Sequence, residues 1–208
     1  ARSLVLALDC DAEPVVVLTK ADRCDAEELE RDLDRVRRLV GPDVRVIVTS
    51  SAEGRGLDEV RVCVPAGSCA MILGESGAGK STLLNALLGH DTLATGGVRE
   101  RDDQGRHTTV ARVMVALPGD AGVIADAPGL RSLPLVGHER GLARAFPEIV
   151  EASRACRFGD CTHTHEPGCA VREAEDAGQI DSLRLETFQN LASSMRVSAQ
   201  MLDPDVHL

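Results

Sequence analysis

Short apolar runs alternate with amphipathic stretches over residues 1–150. Pro14–Leu18, Val44–Val48, Cys69–Leu73, Ala111–Ala116 and Gly122–Ala125 are short and apolar, as buried strands are. After Asp25, Leu29, Leu33, Val36 and Val40 recur at helical spacing. Asp25 is an N-cap residue with Glu28 three positions on, and Gly41-Pro42 ends the helix. Further helices are predicted over Arg2–Leu8 and from Lys80 to about Leu88. Strand–helix alternation predicts an α/β fold with a mostly parallel sheet. Gly96–Arg106 has no period, and its Gly, Arg and Asp content reads as a mobile loop. Beyond residue 150 the pattern changes to a Cys/His-rich stretch followed by helix, so 151–208 reads as a separate small module.

Chemistry concentrates where predicted strands end. Gly74-Glu75-Ser76-Gly77-Ala78-Gly79-Lys80-Ser81-Thr82 fits G-x-x-x-x-G-K-[ST] in full, between a strand and a helix. Glycines at that turn let successive backbone N–H groups face phosphate oxygens, and the helix N-terminus adds a positive dipole end. Lys80 is placed for the β- and γ-phosphates and Ser81 for Mg²⁺. Asp126-Ala127-Pro128-Gly129 follows the last strand; Asp126 suits Mg²⁺ through water and the Gly129 N–H suits a γ-phosphate. Between them, Gly105-Arg106-His107-Thr108-Thr109 offers a second hydroxyl to Mg²⁺, from Thr108 or Thr109. The same pair of threonines would also suit an ordinary strand start.

Upstream, the strand Pro14–Leu18 runs into Thr19-Lys20-Ala21-Asp22. A carboxylate at Asp22 accepts from guanine N1–H and its 2-amino group, donors that adenine lacks, so the site prefers GTP and GDP. The Lys20 stem is expected along the base plane. The strand Val44–Val48 ends in Thr49-Ser50-Ser51-Ala52, whose backbone suits guanine O6. The site set drawn from it is Ser51 and Ala52, although Ser50-Ser51-Ala52 aligns with an S-A motif in two ways. An ordinary guanine-nucleotide fold carries its phosphate motifs first and its base-reading motifs after them. Here the base-reading pair comes first, so the order is circularly permuted, as close chain ends in α/β domains permit.

In the second module Cys156, Cys161, His163 and Cys169 form C-x4-C-x-H-x5-C. Three thiolates and one imidazole close a tetrahedral set, which predicts one structural Zn²⁺ and not a catalytic one. His165 is the rival ligand. Cys10, Cys24, Cys63 and Cys69 are scattered and read as small apolar core residues.

Composition narrows the partners. The 208 residues carry 23 Lys+Arg against 33 Asp+Glu, a net charge of -10, with no Trp, no Tyr and three Phe. That excludes autonomous base-stacking binding of nucleic acid. No apolar run approaches the length of a membrane span, and no export signal is visible, so a cytoplasmic monomer is expected. Among the 23 basic residues only Lys20 and Lys80 are lysine. Under this reading they stand at the two ends of one nucleotide.

These residues, together with Phe146-Pro147-Glu148 and Glu166-Pro167-Gly168-Cys169-Ala170-Val171, resemble the circularly permuted, ribosome small-subunit-dependent GTPases (RsgA, YjeQ or YloQ) over nearly the whole chain. The resemblance implies a permuted P-loop GTPase domain over 1–150 and a zinc-binding helical module over 151–208. It also implies GTP hydrolysis stimulated by the 30S subunit, late in that subunit's maturation, with contact to its rRNA. The family suggests His107 as the water-orienting residue, beside Lys80, Thr108 and Thr109 in the expected catalytic set, because Leu130 stands where many GTPases place a water-orienting Gln. Two departures matter. Thr19 stands where the family more often has Asn, and nothing corresponds to the family's N-terminal OB-fold, so a fragment is expected. The alternatives are a nucleotide-binding scaffold with little turnover and a metal-delivery GTPase.

Overall fold

The computed structural model describes residues 1–91, 93, 113–126 and 135–202. In chain order the elements are α1 (Arg2–Asp9), β1 (Val15–Leu18), α2 (Ala26–Val40), β2 (Arg45–Val48), α3 (Leu57–Val62), β3 (Cys69–Ile72), α4 (Lys80–Leu88), β4 (Val113–Ala116), β5 (Val123–Asp126), α5 (Glu139–Ala145), α6 (Pro147–Ser153), α7 (Ala170–Asp176) and α8 (Ser182–Leu202). Each predicted strand is present to within two residues of its expected ends. The α2 start forms as its sequence predicts: the Glu28 amide donates to Asp25 Oδ1 at 2.8 Å. Leu33 and Val40 are buried, and Gly41 ends the helix at φ +84°.

Two compact units are present, one made of Ala1–Pro14, Arg31–Arg45 and Pro134–Leu208, the other of Val15–Glu30 and Val46–Leu133. These units follow packing and not chain order: α1 lies on α5, and the C-terminal part of α2 is tied to the start of α8 through the Arg38–Asp181 and Arg184–Leu39 contacts, which a pattern read along the chain does not show.

In the second unit the described strands form two sheets, β1-β2 and β3-β5-β4. β3 and β5 are parallel, with Ile72 opposite Asp126. β4 runs antiparallel to β5, because the connection between them is a short turn through Gly119 and Asp120, both at positive φ. A parallel neighbour would need a crossover of a dozen residues or more. At Gly122 a β-carbon would lie 2.4 Å from the Ser68 carbonyl oxygen, so only glycine lets the hairpin approach that closely. Ile47, Val64, Leu83, Leu84, Leu87 and Ile124 form the buried core behind the β3 and α4 ends that carry the site.

In the first unit, α1 lies on α5 with Val5 fully buried. The approach requires Gly141, whose β-carbon would sit 2.3 Å from the Val5 carbonyl oxygen. Asp9 accepts from the Gly141 amide at 2.9 Å and pairs with His138 Nδ1 at 2.7 Å. Asp11 pairs with Arg140 and Arg144, and Asp181 with Arg38 at 2.8 Å. The His138 hydrogen bond holds Asp9 below the usual carboxylate range, and Arg140 and Arg38 do the same for Asp11 and Asp181. The unfolded chain therefore binds protons more readily than the folded one in this range. Stability from these groups is complete above about pH 5 and is lost as pH falls through about 4 toward the lowered folded values. Thermal unfolding followed between about pH 3 and 7 should show a flat upper limb and a falling acid limb. Asp11→Asn should flatten the acid limb, and a melting temperature that rises on acidification would contradict the assignment.

Candidate nucleotide and metal sites

The glycine-rich turn leaves β3 at Gly74 and enters α4 at Lys80, with Gly77 at φ +79° and Gly79 at φ +83°. That left-handed backbone curls the loop at the α4 N-terminus. Lys80 Nζ donates to the carbonyls of Gly74 at 2.9 Å and Glu75 at 3.0 Å, which holds the ammonium at the loop mouth. Ser81 is half-buried in the first turn of α4; Glu75, Ser76 and Thr82 are exposed.

β5 lies beside β3 in parallel register, and this brings Asp126 to the P-loop end of the sheet, opposite Ile72. Asp126 Oδ1 is buried and has no hydrogen-bond partner among the described residues. A buried carboxylate oxygen without a partner is costly, and a hydrated cation beside the phosphate site would satisfy it. The donor set of Ser81 and Asp126 therefore fits Mg²⁺.

The base-reading loop is strapped to the phosphate loop. Thr19 Oγ1 donates to the Ala78 carbonyl at 2.7 Å, and Lys20 Nζ donates to the Gly77 carbonyl. Lys20 itself has φ +63°, so the loop after β1 turns sharply toward residues 77–79. The Lys20 ammonium thus has a definite anchor in addition to the stem role expected for it. Asp22 faces solvent on one side and accepts from Ser50 Oγ at 2.7 Å on the other. This hydroxyl is the main reason its carboxyl lies below the usual range, so Asp22 is a ready acceptor. Ser50 is fully buried, while Ser51 is half-buried and Ala52 exposed. Ser50 is thus the residue that orients Asp22, and the sequence reading left it out of the site set. The two possible S-A alignments were the only signal for it. Arg99, Arg101, Arg106, His107, Thr108, Thr109 and Ala127–Leu130, with Pro128 and Gly129, lie outside the described residues.

In the first unit the ligand atoms of Cys156, Cys161, His163 and Cys169 lie within 4.8 Å of one another. His163 Nδ1 is 3.7 Å from Cys156 Sγ and 3.5 Å from Cys169 Sγ; the two sulfurs are 3.9 Å apart. A zinc tetrahedron has edges of about 3.8 Å between sulfurs and about 3.5 Å between sulfur and nitrogen, so these separations fit one ion. His165 is outside the cluster; its Nδ1 is 2.9 Å from Thr164 Oγ1 at the surface. Burial pushes the Cys161 thiol up to about 12, which a divalent cation at the centre would reverse. Cys10 and Cys69 are exposed, contrary to the core role expected of them, and Cys24 and Cys63 are only partly buried. Cys69 is exposed because β3 places alternate side chains on opposite faces, and Cys69 shares its face with exposed Met71.

A P-loop at the end of a parallel strand, an aspartate on the neighbouring strand end, and an upstream Thr-Lys-x-Asp loop anchored to it define a P-loop nucleotide-binding protein with permuted motif order. The RsgA GTPase family model matches residues 1–136, and the chain belongs to that family. It is 47% identical over 191 residues to a Streptomyces avermitilis protein named small ribosomal subunit biogenesis GTPase RsgA, covering 91% of this chain and 51% of that one. An Opitutus terrae protein of the same name is 42% identical over 205 residues, 98% of this chain and 54% of that one. The chain spans about half the length of the curated relatives it matches. The crystal structure of YjeQ from Thermotoga maritima aligns with a TM-score of 0.67 at 26% identity, over 97% of this chain and 64% of that one. YloQ, described as a circularly permuted GTPase, aligns with a TM-score of 0.61 at 24% identity, over 100% of this chain and 63% of that one, and supports the fold. No described helix is long and apolar enough to cross a membrane.

Proposed function

We propose that this chain binds and hydrolyses GTP and acts late in maturation of the small ribosomal subunit, with turnover stimulated by the subunit. The observation that carries the reading is the strap from Thr19 and Lys20 to the Ala78 and Gly77 carbonyls, which makes Asp22 and the phosphate cradle one site. In this reading Gly74–Thr82 hold the phosphates, Lys80 neutralises the β- and γ-oxygens, and Asp22 selects guanine. Ser81, Asp126 and one of Thr108 and Thr109 would hold Mg²⁺, which would offset the negative charge of the phosphate oxygens. Gly129 donates its amide to the γ-phosphate. His107 orients the attacking water, since Leu130 has no group to do so. Cys156, Cys161, His163 and Cys169 hold one structural Zn²⁺.

The relatives' names, small ribosomal subunit biogenesis GTPase, support the small ribosomal subunit as partner; contact with its rRNA, a monomer and a cytoplasmic location complete the proposal. With a net charge of -10, local arginines such as Arg99, Arg101 and Arg106 and the zinc module are the contacts this chain offers to RNA. Leu130 favours a second reading, a nucleotide-binding scaffold with little turnover. Metal delivery fits less well, since His163 and Cys169 are buried in a closed set. Phosphate release measured with and without purified 30S subunits separates the first two readings. The expected result is slow intrinsic turnover that rises at least tenfold with subunits, in line with the gain a positioned group supplies. Turnover that stays at the intrinsic rate at saturating subunit would favour the scaffold.

A further inference from the structure

The backbone that carries the metal ligands is held by a residue that is not one of them. Glu166 Oε1 accepts from the Thr162 amide at 2.9 Å and from the Thr162 hydroxyl. Its Oε2 accepts from the amides of Thr164 at 3.0 Å and His165 at 3.1 Å. The amides on both sides of His163 are therefore bound to one carboxylate. His163 itself has φ +61°, a left-handed conformation that a β-carbon disfavours. From the other side, α8 reaches over: Gln189 Nε2 donates to the His163 carbonyl at 2.6 Å. The result is a ring whose Nδ1 faces Cys156 and Cys169.

We propose that Glu166 is the positioning residue of this metal site, fixing the turn that carries Cys161 and His163 so that the four donor atoms converge on one ion. The proposal rests on the zinc reading above and deepens it. Glu166 takes no ligand place; both of its oxygens are committed to the loop's own N–H and O–H groups. Partners of this kind orient ligands, and losing one typically lowers metal affinity by about 10–100-fold.

The test compares the wild-type chain with Glu166→Gln, using Glu151→Gln as a control for loss of an exposed carboxylate; Glu151, on α6, pairs with Arg154 just beyond its end. Bound zinc is counted by elemental analysis, zinc affinity is measured by competition with a chromogenic chelator, and the ligand set is read from the absorption of the Co²⁺-loaded proteins. The expected result is one ion in the wild type, affinity about 10–100-fold lower in Glu166→Gln with an unchanged Co²⁺ spectrum, and no change in the control. Wild-type protein that binds no zinc overturns the zinc reading itself. Zinc in the wild type with affinity kept within twofold in Glu166→Gln overturns the role of Glu166 alone. A Co²⁺ spectrum altered in ligand number would make Glu166 a ligand and also overturn it. If Glu166→Gln does not fold, Thr162→Val, which removes only the hydroxyl contact, must show a smaller loss of affinity in the same direction, and no loss overturns the proposal.

Discussion

Asp22→Asn is expected to weaken binding of GDP and GTP by roughly 10²–10⁴-fold while leaving ADP affinity, already poor, nearly unchanged. In the proposed site the carboxylate accepts two hydrogen bonds from guanine, and bonds to a charged acceptor are worth about 1.5–3 kcal/mol each. Ser50 holds Oδ1 from below at 2.7 Å, so the group is oriented before the base arrives. An amide presents an N–H pair where guanine also presents donors, so the loss includes a mismatch as well as missing bonds. Xanthine carries an oxygen where guanine has its 2-amino group. Xanthosine diphosphate should therefore bind the Asn variant more tightly than it binds the wild type. Titration with fluorescent guanosine, adenosine and xanthosine diphosphates gives all three numbers. A guanine affinity reduced less than threefold, or an equal loss for adenine, would remove Asp22 from the base site.

Arg184→Ala should cost about 3–5 kcal/mol of stability, or roughly 6–20 °C in melting temperature for a chain of this size. Arg184 is buried at 8% exposure. Its guanidinium meets the Glu148 carboxylate through Nε and Nη2, the latter at 2.9 Å. It also donates to the carbonyls of Leu39 at 2.7 Å and Ala145 at 2.8 Å, and lies 4.9 Å from the Phe146 ring centre. One side chain on α8 thereby joins the C-terminal ends of α2 and α5 to the first turn of α6. Truncation leaves a carboxylate and two carbonyls without partners, which is the main part of the cost. Arg184→Met combined with Glu148→Leu should recover the part due to the carboxylate, since that apolar pair needs no partner, but not the part due to the Leu39 and Ala145 carbonyls. Urea unfolding of the wild type and the two variants checks this; a loss below about 1 kcal/mol for Arg184→Ala would show that water replaces the guanidinium.

This network explains a string that the sequence offered only as a likeness. In Phe146-Pro147-Glu148 the Phe fills the core under the Arg184 guanidinium, the Pro opens α6 at its first position, and the Glu receives the fork. Nothing local marks Arg184 as their partner, because it lies 36 residues further on in a helix rich in polar residues. The same holds for Ser50 and Glu166, polar residues whose importance lies in what they hold.

The sequence by itself determined the strands, the start and end of α2, the phosphate loop and its helix, the upstream Thr-Lys-x-Asp loop and the three cysteine donors with two candidate histidines. Each is written in local spacing: period, cap, glycine turn and ligand interval are properties of neighbours along the chain. The tertiary structure decided what depends on meeting across the chain. It set β5 parallel beside β3, with Asp126 at the P-loop. It chose His163 over His165 as the fourth donor of the cluster. It put α1 with α5 and not with the strands. These outcomes follow from burying apolar faces and pairing the polar groups that burial strands, and those conditions are satisfied only when distant segments are brought into contact.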